Sequence, residues 1–415
     1  MNRKLKIAFV HMAFIYSGGG EKLVIKEVEW LRRQGHQVDC FSPLIWPEQC
    51  FPDLIQNFKL KELLPGFSWL YRRLKFNTMI YVLAALAPFI AFRLKNYDIV
   101  VGDHEPAAWF CFMVWSMFKT PYILYLAQPT RMLYQRKIDR EVGLMLDKPM
   151  RFSKILGRML KPLMYHLDQW VIASARLVVA NGRYSQRVLE AIYGREVENC
   201  PAGANRLLRR LLATDRSTGE IRLTDRVVKK PFILVTNRHV PQKKFDWAVK
   251  ILAKLAPDFP LLHLVITGEE TDYTQKIRSL IEKLRLTDKV IFTGYVTEKD
   301  LIKLYVNSVV YIYPAPEEDF GMGIIEAMSA ATPVVAWQAA GPAHLVTDQT
   351  GFLVDPGNLE AFIDLTHNLI TNHHLARKLG LAGYRRAAQF SWDKHCRCLE
   401  TFLRAAVNQS APPLV

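Results

Sequence analysis

Cysteine is scarce in this chain, with six residues among 415. That number builds no disulfide framework of the kind that staples small secreted domains. Cys396 and Cys398 form a C-x-C beside His395, but no second ligand pair follows at zinc spacing. No metal is expected there, and a reduced, cytosolic protein is. Long apolar runs are missing too. The most apolar stretch, TMIYVLAALAPFIAF (Thr78–Phe92), falls short of the roughly 20 residues that span a bilayer, and Pro88 interrupts it. It reads as a buried helix. The opening MNRKLKIAFVHMAFIYSGGGEK imitates a signal peptide, yet no small-residue cleavage site closes its apolar run. A buried first strand over Lys6–Val10 is the expectation. Zinc-finger spacing, RNA-binding signatures, solenoid repeats and low-complexity tracts are all absent.

What the chain has in excess is positive charge, +16 at neutral pH. Such a field attracts nucleic acid, anionic lipid or phosphorylated small molecules. With no nucleic-acid motif, a phosphate-bearing ligand and a membrane surface remain.

Short apolar, β-branched runs alternate with helical patterns: KIAFV (6–10), QVDCF (37–41), DIVVG (98–102), YILYL (122–126) and LVVAN (177–181). That alternation predicts βαβ units and a parallel sheet. It stops near Gly203 and restarts with FILVTN (232–237), LLHLVITG (261–268), KVIFTG (289–294), VVYIYP (309–314), PVVAW (333–337) and GFLV (351–354). The expected fold is α/β, two Rossmann-like doubly wound domains, each opening a crevice at the carboxyl ends of its strands. Residues 1–205 form the first domain, 206–229 a charged linker and 230–389 the second domain. A final helix over 390–415 is expected to pack back toward the first domain.

Three stretches carry chemistry. In YSGGGEKLVIKEVEWLRR, Gly18, Gly19 and Gly20 can take positive φ or admit a ligand close to the backbone, and the helix expected from about Glu21 offers free N–H groups to an anion. The run is neither G-x-G-x-x-G nor a Walker sequence, and a flexible β–α turn explains it equally well. In NRHVPQKKFD, Arg238 and Lys243 follow a strand and can straddle a diphosphate, the first as a fork and the second as a point charge. A solvated basic loop is the plainer account. In EEDFGMGIIEAMSAATPVV, Glu317 and Asp319 suit caps of a helix starting near Gly321. Glu326 does not. It sits among Ile324, Ile325, Ala327 and Met328, where an ionised carboxylate is rare without a partner. Facing a crevice, it could accept hydrogen bonds from a ribose diol. Glu318, before the helix, could contact sugar hydroxyls while the N–H groups of Gly321, Met322 and Gly323 face phosphate.

Glu318 to Glu326 as E-x7-E, followed by TPVVAW, resembles the signature of family-4 retaining glycosyltransferases of GT-B fold. NRHVPQKKFD is similar to that family's Arg-x4-Lys loop, and LVITGE, VIFTGYV and TGFLVDP follow in its order. HMAFIYSGGGEKLV is similar to mannosyltransferases that extend lipid-linked oligosaccharides. The resemblance implies a hexosyltransferase in which Arg238 and Lys243 hold the donor diphosphate, Glu318 contacts the donor sugar and Glu326 the ribose. It further implies that the Phe320–Gly323 backbone lines the pocket, that Tyr295 and Val296 flank the base, and that Gly18–Gly20 close over the donor. No metal is implied, and the chain has no D-x-D; Asp103-His104-Glu105 comes nearest. GDP-mannose is the favoured donor, a UDP-sugar the other, with a glycan or lipid-linked acceptor near His104 and Arg131. Three positions depart from the pattern: Ala331 replaces a usual Gly, His344 a common Glu, and Ala127 a frequent His. Two other readings are a nucleotide-sugar epimerase or hydrolase of the same fold, and a non-catalytic sugar-nucleotide-binding protein on a membrane surface.

RFSKILGRMLKPLMYHL sets Arg151, Lys154, Arg158 and Lys161 on one helical face, and SWLYRRLKF mixes aromatics with bases. Both suit an anionic membrane. The expected location is cytoplasmic, with these helices against the cytoplasmic face of a membrane.

Overall fold

The computed structural model describes residues 3–74, 79–103, 107–142, 151–205, 207, 216 and 219–408. The chain divides into two compact units, Met1–Pro201 with Asp393–Val415, and Ala202–Trp392.

The first unit carries β1 (Lys6–His11), β2 (Ala13–Phe14), α1 (Gly19–Arg33), β3 (Gln37–Ser42), β4 (Leu44–Ile45), α2 (Pro52–Ile55) and β5 (Leu60–Glu62). Then come α3 (Phe67–Leu74), α4 (Met79–Leu94), β6 (Ile99–Asp103), α5 (Ala107–Phe118), β7 (Tyr122–Leu126), α6 (Lys137–Val142), α7 (Arg151–Ser174), β8 (Leu177–Ala180), α8 (Arg183–Tyr193) and β9 (Glu198–Asn199). Seven strands form one sheet in the order β5-β3-β1-β6-β7-β8-β9, all parallel. Ile7, Ala8, Phe9 and Val10 are all fully buried, because helices cover both faces of such a sheet. Ala8 and Val10 join α4, α5 and α7 residues in one apolar cluster.

The second unit begins with β10 (Glu220–Arg222) and β11 (Val227–Lys229), an antiparallel hairpin. It continues with β12 (Phe232–Thr236), α9 (Phe245–Leu255), β13 (His263–Thr267), α10 (Asp272–Lys283), β14 (Val290–Gly294), α11 (Glu298–Asn307), β15 (Val310–Tyr313) and α12 (Met322–Ser329). β16 (Val334–Trp337), α13 (Pro342–Leu345), β17 (Gly351–Val354), α14 (Leu359–Thr371) and α15 (His373–Ala387) complete it. Its parallel sheet has the order β14-β13-β12-β15-β16-β17. The last helix, α16 (Trp392–Asn408), enters the first unit at Asp393. There the imidazole of His395 meets the Glu27 carboxylate at 2.8 Å, both fully buried, and Glu400 meets His36 at 3.1 Å.

Three sequence expectations need correction. The stretch 220–229, read as linker, is the β10–β11 hairpin, and the Thr224 N–H donates to the Asp300 carboxylate of α11 at 2.9 Å. Charged residues on the outer face of a two-stranded ribbon masked the strand pattern. The apolar stretch read as a buried helix is α4, but Phe89 and Phe92 are exposed while Leu83, Ala87, Ile90 and Ala91 are buried. Hydropathy near saturation hides which face is which. Finally, α1 starts at Gly19, two residues before the expected place.

Candidate active site

In each unit the strand order reverses beside one pair, β1–β6 in the first and β12–β15 in the second. Ligands of doubly wound sheets bind at the carboxyl ends of the strands at such a point.

In the second unit, that crevice collects most of the residues singled out from the sequence. Thr236 ends β12; Asn237 and Arg238 follow it, and Lys243 ends a 3-10 turn over Pro241–Lys243. After β15 come Glu318 and the glycine-framed start of α12. The Lys243 ammonium and the Glu318 carboxylate form a short hydrogen-bonded ion pair, both about one-fifth exposed. Gly341 N–H donates to the Glu318 carbonyl at 2.8 Å, which fixes the acidic loop. A β-carbon on Gly341 would lie 2.6 Å from the Asp319 carbonyl oxygen, so only glycine permits this approach.

Gly321 caps α12 in a left-handed conformation, φ +98°, and no side chain caps the helix. With no side chain on the N-cap residue itself, the first-turn N–H groups and the helix dipole behind them form the kind of helix end at which anions bind. Glu326 is half-buried and accepts a hydrogen bond from the Tyr305 hydroxyl at 3.0 Å. Thr236 Oγ1 lies 2.8 Å from the Tyr311 hydroxyl and 3.2 Å from that of Tyr305. Burial first, then the Glu318 charge, holds the Tyr313 hydroxyl well above the ordinary tyrosine range. A wall of three buried tyrosines, Tyr305, Tyr311 and Tyr313, thus stands beside both glutamates. The sequence reading missed it, although alternate tyrosines in VVYIYP were its visible signal.

Phe320 is buried, with its ring 6.1 Å from that of Phe390. Tyr295 and Val296 occupy the loop between β14 and α11, half-buried. Behind α12, Ala331 adopts φ +53°, the left-handed region that favours glycine. The buried guanidinium of Arg216 donates to the carbonyls of Ala330 at 3.1 Å, Ala331 at 3.2 Å and Val306 at 2.8 Å. It closes the C-terminal end of α12. His344 lies on α13, its carbonyl accepting from Arg386 at 2.9 Å.

In the first unit, Gly18–Gly20 lead into α1. Gly18 has φ −113°, so positive φ is not its purpose. A β-carbon there would lie 2.5 Å from Glu21 Oε2, so the requirement is close approach. Glu21 is buried, 3.3 Å from His11 Nε2, while His11 Nδ1 lies 2.6 Å from Asp103. His11 and Asp103 pair across β1 and β6 at the reversal. Burial alone would lower the imidazole's pKa, but hydrogen bonds and charge from Asp103 and Glu21 outweigh it and raise it to about 10. This imidazolium held by two carboxylates was not read from the sequence; no short motif joins residues 10 and 92 positions apart. Arg131 is tied to the buried Asp139, with its Nε donating at 2.9 Å, and is not presented as a loose cation. Ala127 is half-buried in the loop after β7. His104 lies outside the described residues, as do the side chains of Arg151, Lys154 and Arg158. Among the described residues no group of three or more His, Cys, Asp or Glu could hold a metal ion.

Two parallel doubly wound units, with an Arg-x4-Lys loop beside an E-x7-E helix start in the second, have the build of a GT-B fold. The family model for glycosyl transferases group 1 matches residues 221–386, and that for Glycosyltransferase Family 4 matches residues 17–205. The chain belongs to glycosyltransferase family 4. Sucrose-phosphate synthase 1 of Arabidopsis thaliana is 31% identical over 186 residues, 41% of this chain and 18% of that protein. D-inositol 3-phosphate glycosyltransferase of Nocardia farcinica is 28% identical over 235 residues, 54% of this chain and 51% of that one. The matches thus span from under a fifth to about half of these relatives' length. Among solved structures, Anabaena HepE in complex with UDP and glucose superposes with a TM-score of 0.72 at 18% identity, covering 97% of this chain and 100% of that one. Sucrose-phosphate synthase from Thermosynechococcus elongatus gives 0.75 at 19%, covering 97% and 99%. At these identities the likeness is one of fold.

Proposed function

We propose that the protein transfers a hexosyl group from a nucleoside-diphosphate sugar to an acceptor hydroxyl with retention of anomeric configuration. The observation that carries this reading is the Lys243–Glu318 pair at the glycine-capped start of α12, with Glu326 just over one turn into that helix. Arg238, Lys243 and the helix N-terminus stabilise charge as it develops on the departing diphosphate. Glu318, steered by Lys243, orients sugar hydroxyls. Glu326 is turned by Tyr305 toward the ribose. Retention is part of the family reading.

Two donors are in contention. Mannose from GDP-mannose follows from the resemblance of the N-terminal segment to mannosyltransferases. Glucose from UDP-glucose is supported by HepE, solved with UDP and glucose, and by the sucrose-phosphate synthase matches. A glycan or a sugar on a lipid carrier is the proposed acceptor, and an anionic membrane its proposed setting.

The test is a panel of UDP-, GDP- and ADP-hexoses, scored for binding by thermal shift and for transfer by mass spectrometry. Wild-type protein should bind one nucleotide class. Glu318→Ala should retain nucleotide binding and lose about 10²–10³-fold in kcat. Absence of binding to every nucleotide sugar overturns the proposal, and release of free hexose without transfer replaces it with hydrolysis.

A further inference from the structure

The first unit wears its apolar side chains on the outside. Phe89 is 69% exposed, Met159 73%, Leu163 56% and Trp170 51%. Among the described residues, the second unit shows only Val227 and Leu261 as exposed large apolar side chains. We infer that α4, α5 and α7 together form a docking surface for an anionic lipid bilayer.

α7 carries two apolar faces. Met164, Val171 and Ile172 turn inward beside the buried Asp168. Met159, Leu163, Leu167 and Trp170 recur at intervals of four, four and three, which places them on one outward stripe. A helix that only closes a soluble core needs the first face alone. The stripe continues onto its neighbours through ring contacts. Trp170 packs edge-on against Phe112 of α5 at 4.8 Å, and Phe92 of α4 against Phe118 of α5 at 5.1 Å.

The charge around this surface is of one sign. α4 and α5 contain no acid, and the one acid of α7, Asp168, is buried. Lys95 sits over Phe92 and Phe118, 5.6 and 5.7 Å from their centroids, and Lys119 lies 4.8 Å from Trp115. Lys161 is exposed on α7. Aromatic rings with cations above them suit the headgroup layer, where the ring enters the acyl boundary and the ammonium meets phosphate. A second copy of this chain is a poor occupant, because it would set lysines against lysines with no acid to answer them. Among the described residues no helix is long and apolar enough to cross a membrane, so the protein lies on the bilayer.

This deepens the acceptor reading by naming the surface, and its test needs neither donor nor acceptor, so the two can fail separately. Purified protein is co-sedimented with phosphatidylcholine vesicles, with and without phosphatidylserine, at low and high salt. Binding should require phosphatidylserine and weaken with salt. Phe89→Ser with Leu163→Ser, both exposed positions, should weaken it at least about tenfold at an unchanged melting temperature. Lys95→Glu with Lys119→Glu should abolish the salt-sensitive part. Equal binding by wild type and both variants overturns the inference. So does concentration-dependent dimerisation, seen by analytical ultracentrifugation, that Phe89→Ser with Leu163→Ser removes.

Discussion

Ala331 and His11 show how single residues trade stability against position. Ala331 holds φ +53° at the end of α12. A left-handed alanine costs about 1–2 kcal/mol, more than the roughly 0.8 kcal/mol its buried methyl returns. Ala331→Gly is therefore expected to raise the melting midpoint in calorimetry, and the β-branched Ala331→Val to lower it by several degrees. A lower midpoint for the glycine variant would refute this account. Arg216 makes the alanine tolerable by bonding the carbonyls that the turn leaves open. His11 behaves differently. Its folded pKa is near 10, against about 6.5 unfolded, so the folded state keeps a proton that the unfolded chain sheds. Its stabilising contribution is full below about pH 6.5 and is lost as pH rises toward 10. The difference in midpoint between wild type and His11→Gln should shrink across that window; a constant difference would exclude the charged form. The carboxylates at 318 and 326 were legible because their spacing is local. His11, Glu21 and Asp103 were not, because the sheet, rather than a motif, brings them together.

At the scale of elements, α12 is the piece that most constrains its neighbours. A β-carbon on Gly323 would sit 2.2 Å from the Tyr311 hydroxyl and 3.0 Å from Thr236 Oγ1. The helix start therefore rests directly on the tyrosine wall. Gly323→Ala should lower both the melting midpoint and donor affinity. Adding Tyr311→Phe removes the clashing oxygen and should recover part of the loss, a non-additive pair measured by titration calorimetry. Simple additivity would disprove the contact's role. The main strands were readable to within a residue or two, since each buried run is bounded by polar turns. β2, β4, β5 and β9 were not, because two- and three-residue strands carry no period. The sequence showed α12 through its cap-like acids, but the glycines' reason lay in the packing.

At the scale of the whole molecule, the chain builds its two units discontinuously. The chain leaves the first unit after Pro201, builds the second, and returns at Asp393 with α16. Truncation before Trp392 removes His395 from Glu27 and Glu400 from His36, taking an ionic partner from a buried carboxylate and a buried imidazole. Calorimetry should then show the first unit's transition at a markedly lower temperature, with the second unit's transition unmoved; a joint shift would mean the units melt as one. The sequence showed two sheets and a terminal helix. The hairpin at 220–229 and the capping role of Arg216, both inside the stretch read as linker, depended on contacts far along the chain.

The return of α16 also sets a schedule. A ribosome makes the second unit's entire sequence before the residues that finish the first. The amino-terminal half must wait, with the pocket for His395 open beside Glu27, while its successor folds. On the growing chain, the part begun first is the part completed last.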